Sequence, residues 1–324
     1  LRAIEGAVVI FSAVEGVEAQ SEKVWRQADK YHVAKIAFIN KMDRIGASFE
    51  QVIAQINAKF SDCALPMQLP VGRESDFSAI IDILDGELIR LSGEHGEQIE
   101  RSPLDENQQK QRQEAFEKLI EKVGNFSDEI AMHYLEGEIP SRELMQKEIR
   151  RLTIERKLVP VFLGSAKRNI GIQMLADAVI DYLPSPLDVP PYKAFEVRND
   201  NEIEVHPDSK EPFSGFIFKI NASSTADLFF IRIYSGTITP NMMLANSRTR
   251  DKVRTKQLYK IYAKNTEQID SAGPGDIIGL TGLKDCGIGD TLCDQKRLIA
   301  FEKISFPEPV ISMVVEPKFS KDKD

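Results

Sequence analysis

Four consecutive residues, Asn40-Lys41-Met42-Asp43, carry the sharpest chemical signal in the sequence. A carboxylate such as Asp43 can accept two hydrogen bonds at once, from the N1–H and the exocyclic amine of guanine, a pair that adenine does not offer. Asn40 suits holding the loop or reaching the base, and the alkyl stem of Lys41 can cover the ring while its ammonium stays polar. The second signal is Gly164-Ser165-Ala166-Lys167, whose backbone N–H groups suit the guanine O6. Either loop alone also reads as an ordinary surface turn. In this order, each after a buried strand, they read as two walls of one purine site.

Those loops need elements to hold them. Residues 6–13, 35–39 and 158–163 form apolar runs, and Ala7-Val8-Val9-Ile10-Phe11 is apolar at consecutive positions, as in strands of a parallel sheet covered on both faces, where a half-exposed strand would alternate. Amphipathic stretches at 20–31 and about 169–183 supply helices. Pro184 and Pro186 end the second, and Pro190 and Pro191 stiffen the connector beyond it. In open α/β sheets, ligands bind in loops at the carboxyl ends of the strands. Both motifs occupy that position.

Between the second and third buried strands lies an insertion over about residues 66–156. It has short strand-like pieces at 67–71, 78–84 and 87–91, then a polar segment. A helix comes next with Ala115, Phe116, Leu119, Ile120 and Val123 on one face, and two more start at Ser127 and Ser141, both good N-caps. From Phe213 the pattern changes to short runs at 213–220, 228–234, 242–246, 252–263 and 276–281, separated by turn signals such as Ser235-Gly236 and Gly273-Pro274-Gly275. That spacing predicts a small antiparallel barrel. The expected division is 1–188, an α/β domain carrying the 66–156 insertion; 189–212, a linker; 213–301, the barrel; and 302–324, a linker with one further strand at 310–316.

Composition bounds the alternatives. The chain has 324 residues, 42% hydrophobic and 28% charged, which excludes collagen-like and wholly disordered classes. No apolar run approaches the ~20 residues of a membrane span, so no membrane partner is expected. Cys63, Cys286 and Cys293 fit no disulfide scaffold or zinc spacing and suit a reducing compartment. The net charge is −8, and all of the excess lies before Val189. Beyond it, Arg248, Arg250, Lys252, Arg254 and Lys256 alternate with other residues, so one extended strand would put all five on one face, about 6.6–6.8 Å apart. Such a row can follow a phosphate backbone or serve as a solvated edge; Lys260 and Lys264 extend it. His32, His95, His133 and His206 show no ligand spacing, and Trp25 reads as a core anchor.

Asn40 to Asp43 and Gly164 to Lys167 match the fourth and fifth guanine-binding motifs of P-loop GTPases. The stretches at 22–31, 39–44, 181–186 (Asp181-Tyr182-Leu183-Pro184-Ser185-Pro186), 233–236, 289–293 and 306–312 (Phe306-Pro307-Glu308-Pro309-Val310-Ile311-Ser312) resemble the elongation factor G family across the whole chain. By that resemblance residues 1–188 form a partial P-loop GTPase sheet, with 66–156 as its inserted α+β subdomain. Residues 213–301 form a barrel domain of the translation-factor type, and 310 onward begins a third domain. The activity implied is GTP-driven movement of tRNA and mRNA on the ribosome in the cytoplasm. GTP/GDP would bind through Asn40, Lys41, Met42, Asp43, Ser165, Ala166 and Lys167, Mg2+ would belong to the parent protein, and ribosomal RNA would contact the cationic row. A ribosomal-protection or release-factor GTPase, or a ribosome-binding module that uses no nucleotide, are the alternative readings.

The departures carry expectations too. The sequence holds no G-x-x-x-x-G-K-[ST] loop, no switch threonine and no Asp-x-x-Gly-His segment. Asp270-Ser271-Ala272-Gly273 fits part of the last by letters but falls in the barrel, as a turn. The phosphate cradle and the hydroxyl ligand for magnesium are therefore missing, and this segment alone is expected to bind GTP weakly and hydrolyse none. Leu1, without a Met, reads as the start of a piece. Three strands side by side would leave residues 6–13 as a bare apolar edge, which invites self-association.

Overall fold

The computed structural model describes residues 2–92, 96, 98–222, 227–262 and 265–301, and the chain divides into two compact units, Leu1–Pro190 and Pro191–Asp324. The first runs β1 (Gly6–Ser12), α1 (Ala19–Lys30), β2 (Ala34–Asn40), α2 (Phe49–Lys59), β3 (Ala64–Pro66), β4 (Gln68–Val71), β5 (Ala79–Asp82), β6 (Glu87–Ser92), β7 (Gln98–Pro103), α3 (Glu106–Gly124), α4 (Asp128–Glu136), α5 (Arg142–Ile154), β8 (Val159–Leu163) and α6 (Ile172–Tyr182).

The central sheet is parallel with the order β1-β2-β8-β3. Along β2, Ala37 and Ile39 enter one core with Trp25, Val52 and Ile56. Ile36 and Phe38 enter the other, with Met145, Ile149 and Tyr182. Successive side chains of a strand point to opposite faces, so the unbroken apolar run is the signature of a sheet covered twice. Trp25 is an anchor of the first core, stacked on Phe60 with ring centroids 4.2 Å apart, while the ammonium of the buried Lys35 sits over its ring at 5.1 Å.

Where three strands were expected, there are four. β3 joins β8 through Ala64↔Val159, and at three residues it is too short to leave a periodic signal. β1 pairs only with β2 among the described residues and so forms the sheet edge, with Ile10 exposed.

The insertion builds its own antiparallel sheet, β4-β5-β6-β7, from the run predicted as short strands plus β7, which occupies the stretch read as merely polar. α3 starts with a capping box between Asp105 and Gln108. The Ser127 and Ser141 hydroxyls accept the N–H groups of Ile130 and Leu144, as caps do.

The second unit comprises β9 (Tyr192–Glu196), β10 (Glu202–Val205), β11 (Ser214–Asn221), β12 (Leu228–Ser235), β13 (Met243–Asn246), β14 (Lys252–Arg254), β15 (Leu258–Tyr262), β16 (Asn265–Ile269), β17 (Ile277–Leu280), β18 (Thr291–Cys293) and β19 (Ile299–Phe301). An eight-stranded antiparallel sheet has the order β14-β13-β18-β11-β12-β17-β15-β16. Val253 near one end and Leu258 near the other share one core with Phe213, Ile217, Ile231 and Leu292, so the sheet curls round that core in barrel fashion.

Two expectations are corrected here. Residues 189–212 are not a plain linker, because β9 and β10 form a hairpin that β19 extends to a three-stranded sheet over Ala194, Val205 and Phe301. The single strand expected over 252–263 is two, parted at Thr255, whose buried hydroxyl binds back to Thr239 O and Met242 N. The strand expected over 310–316, with Lys264 and His95, lies outside the described residues.

Candidate guanine-base site

β2 ends at Asn40 and β8 at Leu163, neighbours in the sheet through Ile39↔Leu163, so the loops leaving them must start side by side. Three sets of bonds tie them. Gly164 N donates to Ile39 O at 3.0 Å, Met42 N donates to Gly164 O at 3.1 Å, and the Asn40 carboxamide oxygen accepts from both Lys41 N at 2.8 Å and Ala166 N at 2.9 Å. The last spans 126 positions of sequence, and through it one side chain fixes both motifs. Lys41 adopts φ +66°, a left-handed conformation costly for a residue with a Cβ, and its bond to Asn40 helps hold it there.

Gly164 is dictated by close approach. A Cβ at this position would lie 2.1 Å from Ile170 O and 2.8 Å from the Phe38 ring. Ser165 then caps a short 3-10 turn over Ala166–Arg168, and its own N–H and C=O exchange bonds with Ile170.

Asp43 stands between the loops, its side chain 9% exposed. Burial works to raise its carboxyl pKa. The hydrogen bond from the buried Ser165 and its own backbone N–H outweigh that, aided by the charges of Arg168 and Arg44, and the result lies below the usual carboxylate range. Asp43 is thus held ionised, as an acceptor must be. Arg168 Nε lies 3.5 Å from Asp43 Oδ2, and Lys41 Nζ lies 3.3 Å from Glu15 Oε2. The Lys41 stem is left along the rim.

Two of the expected contacts are placed differently. Met42 is buried in the core with Phe11 and Ile39, so it anchors the loop and offers no surface to a base. The Ala166 N–H is already taken by Asn40, and the Ser165 N–H by Ile170; an O6 acceptor would have to share or displace Asn40 at Ala166. Lys167 is exposed beside them. Motif reading missed Glu15, Glu74 and Arg168. Arg168 comes directly after the second motif, while Glu74 reaches the site only through tertiary folding: its carboxylate accepts Gly46 N at 2.7 Å.

The cationic row does not lie on one strand. β14 covers only Lys252–Arg254, Arg250 turns through φ +63°, and Arg248 is bound in a fork to the buried Asp290, with Nε–Oδ1 2.6 Å and Nη2–Oδ2 2.8 Å. Arg250, Lys252, Arg254 and Lys256 are exposed and make no ion pair among the described residues. Tyr262, on β15, is 49% exposed. Among the described residues no three His, Cys, Asp or Glu side chains are grouped so as to hold a metal ion. No helix among them is long and apolar enough to cross a membrane.

A parallel sheet with two converging loops beyond its carboxyl edge defines a nucleotide-domain architecture, and comparison agrees. The family model described as the Elongation factor Tu GTP binding domain matches residues 1–185, and that described as Elongation factor G domain 2 matches residues 212–295. The chain belongs to the translational GTPases of the elongation factor G family. It is 42% identical over 325 residues to Elongation factor G of Thermotoga maritima, and 42% identical over 324 residues to that of Fervidobacterium nodosum. Each alignment covers 100% of this chain and 47% of the relative, so the chain spans about half the length of the curated relatives it matches. A crystal structure of a Thermus thermophilus protein shares the fold, with a TM-score of 0.75 at 20% identity over 95% of this chain and 44% of that one.

Proposed function

We propose that the two loops select guanine for a GTPase whose complete chain drives the movement of tRNA and mRNA on the ribosome. The observation that carries this is the Asn40 carboxamide bridging to Ala166 while Ser165 and Arg168 hold Asp43 as an ionised acceptor. Asp43 takes the base N1–H and exocyclic amine, the Lys41 stem covers one face, and Ala166 N–H turns to O6 as Asn40 yields. GTP and GDP differ only beyond the base, so this half of the site treats them alike. Phosphate binding, magnesium and hydrolysis call on motifs this sequence lacks, and the segment alone binds weakly and turns over no GTP.

In the second unit, Arg250, Lys252, Arg254 and Lys256 are the cations we assign to ribosomal RNA, with Arg248 kept by Asp290 as a structural residue. Neutralising about four phosphates would give a log–log salt slope near −3 to −4. The exposed edge of β1 would let the segment self-associate, which light scattering over a concentration series reads directly. A well-behaved monomer at high concentration would refute that.

The test of the base site is ligand-observed NMR titration with GDP, inosine diphosphate and ADP. Inosine lacks the exocyclic amine and so loses one of the two bonds to Asp43, a charge-assisted bond being worth about 1.5–3 kcal/mol. GDP is expected to bind roughly tenfold or more tightly than inosine diphosphate, and ADP more weakly still. Equal binding of the three would overturn the reading. Salt-dependent RNA binding with no nucleotide response would leave a ribosome-binding module.

A further inference from the structure

The inserted subdomain touches both loops of the base site. On one side, the Glu74 carboxylate accepts the N–H of Gly46 at 2.7 Å, three residues beyond Asp43, and Glu74 is held at φ +52° to do so. On the other, Arg168 donates Nη1 to Ser75 O at 3.4 Å while its Nε faces Asp43. A third tie lies at Gly96, whose carbonyl oxygen accepts from Gln173 Nε2 at 3.0 Å and from Asn169 Nδ2 at 3.4 Å. The insertion also packs on the central sheet, through Phe77, Ile80 and Ile89 in one core and Ile83, Met145 and Ile149 in the other, but these polar ties reach past the sheet to its loops. All three converge on the residues flanking Asp43 and Ala166.

We propose that Arg168 is a positioning residue of the base site, seated on the insertion through Ser75 and orienting the Asp43 carboxylate, so that with Glu74 the insertion sets how tightly guanine is held. The inference rests on the base-site reading above. A guanidinium has donors in a planar fork, so one nitrogen can face a carboxylate while another meets a carbonyl; a lysine ammonium keeps the charge and loses that geometry. Arg168 is half exposed, so screening weakens its charge; that charge, held 3.5 Å from Asp43 by the seat on Ser75, is what acts on the carboxylate. The other charged groups around Asp43 are Arg44 on its own loop, Lys41 paired with Glu15, and Glu74 on the insertion. Arg44 adds positive charge to the loop, whereas the bridge to the insertion is made by Arg168. By thermodynamic reciprocity, whatever reseats the 74–76 turn changes guanine affinity, and bound guanine changes that turn in return.

The experiment compares the wild-type chain with Arg168→Ala, Arg168→Lys, Glu74→Gln and Asp43→Asn. GDP binding is read by ligand-observed NMR between pH 4.5 and 7.5, and the Asp43 carboxyl by its 13C shift without nucleotide. For Arg168→Ala the expected result is about a tenfold loss of GDP affinity at pH 7. Its affinity should also fall further toward pH 4.5 while wild type stays flat, because Asp43 loses a neighbouring cation and protonates earlier. Arg168→Lys should restore the pH profile but only part of the affinity, and Glu74→Gln should cost about threefold with no change in profile. A merely structural Arg168 would move none of the pH behaviour. Unchanged GDP affinity and an unchanged Asp43 titration in Arg168→Ala would overturn the proposal, and loss of binding in Asp43→Asn would then leave the base site standing. If Asp43→Asn binds GDP as wild type does, the base-site reading itself fails, while the 13C titration still decides whether Arg168 controls Asp43.

Discussion

Replacing Asn40 by alanine removes one acceptor and with it two bonds, to Lys41 N at 2.8 Å and Ala166 N at 2.9 Å. Each neutral bond contributes about 1 kcal/mol net. Lys41 and Ala166 are both exposed, so the freed N–H groups reach water and no burial penalty is added; the total is about 2 kcal/mol. Gly164 N to Ile39 O and Met42 N to Gly164 O survive, which keeps the strand ends together and bounds the loss. Trp25 is the single tryptophan of the chain and lies in the first unit, so its fluorescence during urea unfolding follows that unit alone. At an m-value of roughly 2–3 kcal/mol/M, the midpoint should fall by about 0.7–1 M. The Ala166 amide should exchange with solvent at least tenfold faster. An unchanged Ala166 exchange rate, with a midpoint within about 0.2 M of wild type, would refute the claim that Asn40 couples the loops.

Three further perturbations test the surroundings. Gly164→Ala forces a Cβ to within 2.1 Å of Ile170 O, so it should cost about 2 kcal/mol or more and lower guanine affinity; a neutral effect on the Trp25 midpoint would contradict the close approach. Burial raises the Asp82 pKa from 3.8 to about 6, so the folded state holds the extra proton. That stability is fully present below about pH 4 and is lost as pH rises through about 6, a change of roughly 3 kcal/mol. Asp82→Asn keeps an acceptor for Asp85 N and should flatten the pH dependence of the midpoint between pH 4.5 and 7.5; an unaltered slope would contradict the assignment. In the second unit, the buried Asp290 accepts from Arg248, Asn246 Nδ2 at 2.7 Å and Gly287 N at 2.8 Å, and burial's upward pull on its pKa is outweighed by those bonds. Asp290→Ala should cost about 3 kcal/mol, read by circular dichroism melting. A loss under about 1 kcal/mol would show Arg248 to be free for another role.

What the sequence made legible is what short-range pattern can encode. The runs 7–11, 36–39 and 159–163 within β1, β2 and β8 are apolar at consecutive positions, as suits a sheet packed on two cores, and the two motifs sit where β2 and β8 must end. The Ser127 and Ser141 caps were readable for the same local reason. α2 also carried a local signal that went unread, with Ser48 as cap and Phe49, Val52 and Ile56 on one face. Other elements owe their form to distant partners. β3 is three residues matched to a strand some 95 positions later, and β9 waits for β19 across roughly a hundred. β7 is polar and mostly exposed, so pairing to β6 alone makes it a strand. The cationic row broke because alternation fixes which side chains face outward, while the Asn246–Asp290–Arg248 bonds and the turn at Arg250 fix where the strand begins. At the site, residue types were legible and bond partners were not: Ala166 N–H met Asn40 instead of standing open, and Glu74 arrived from another subdomain.

The central claim is that Asp43 reads the guanine edge. Replacing it by asparagine exchanges one carboxylate oxygen for an amine donor, which suits the 2-oxo group of xanthine and rejects the exocyclic amine of guanine. Ligand-observed titration of the wild type and Asp43→Asn with guanosine and xanthosine diphosphates measures that preference directly. Wild type should favour guanosine diphosphate and the variant xanthosine diphosphate, a reversal of roughly a hundredfold in the ratio for about 1.4 kcal/mol gained and lost on each ligand. A variant that keeps its guanosine diphosphate affinity and gains nothing for xanthosine diphosphate would contradict it.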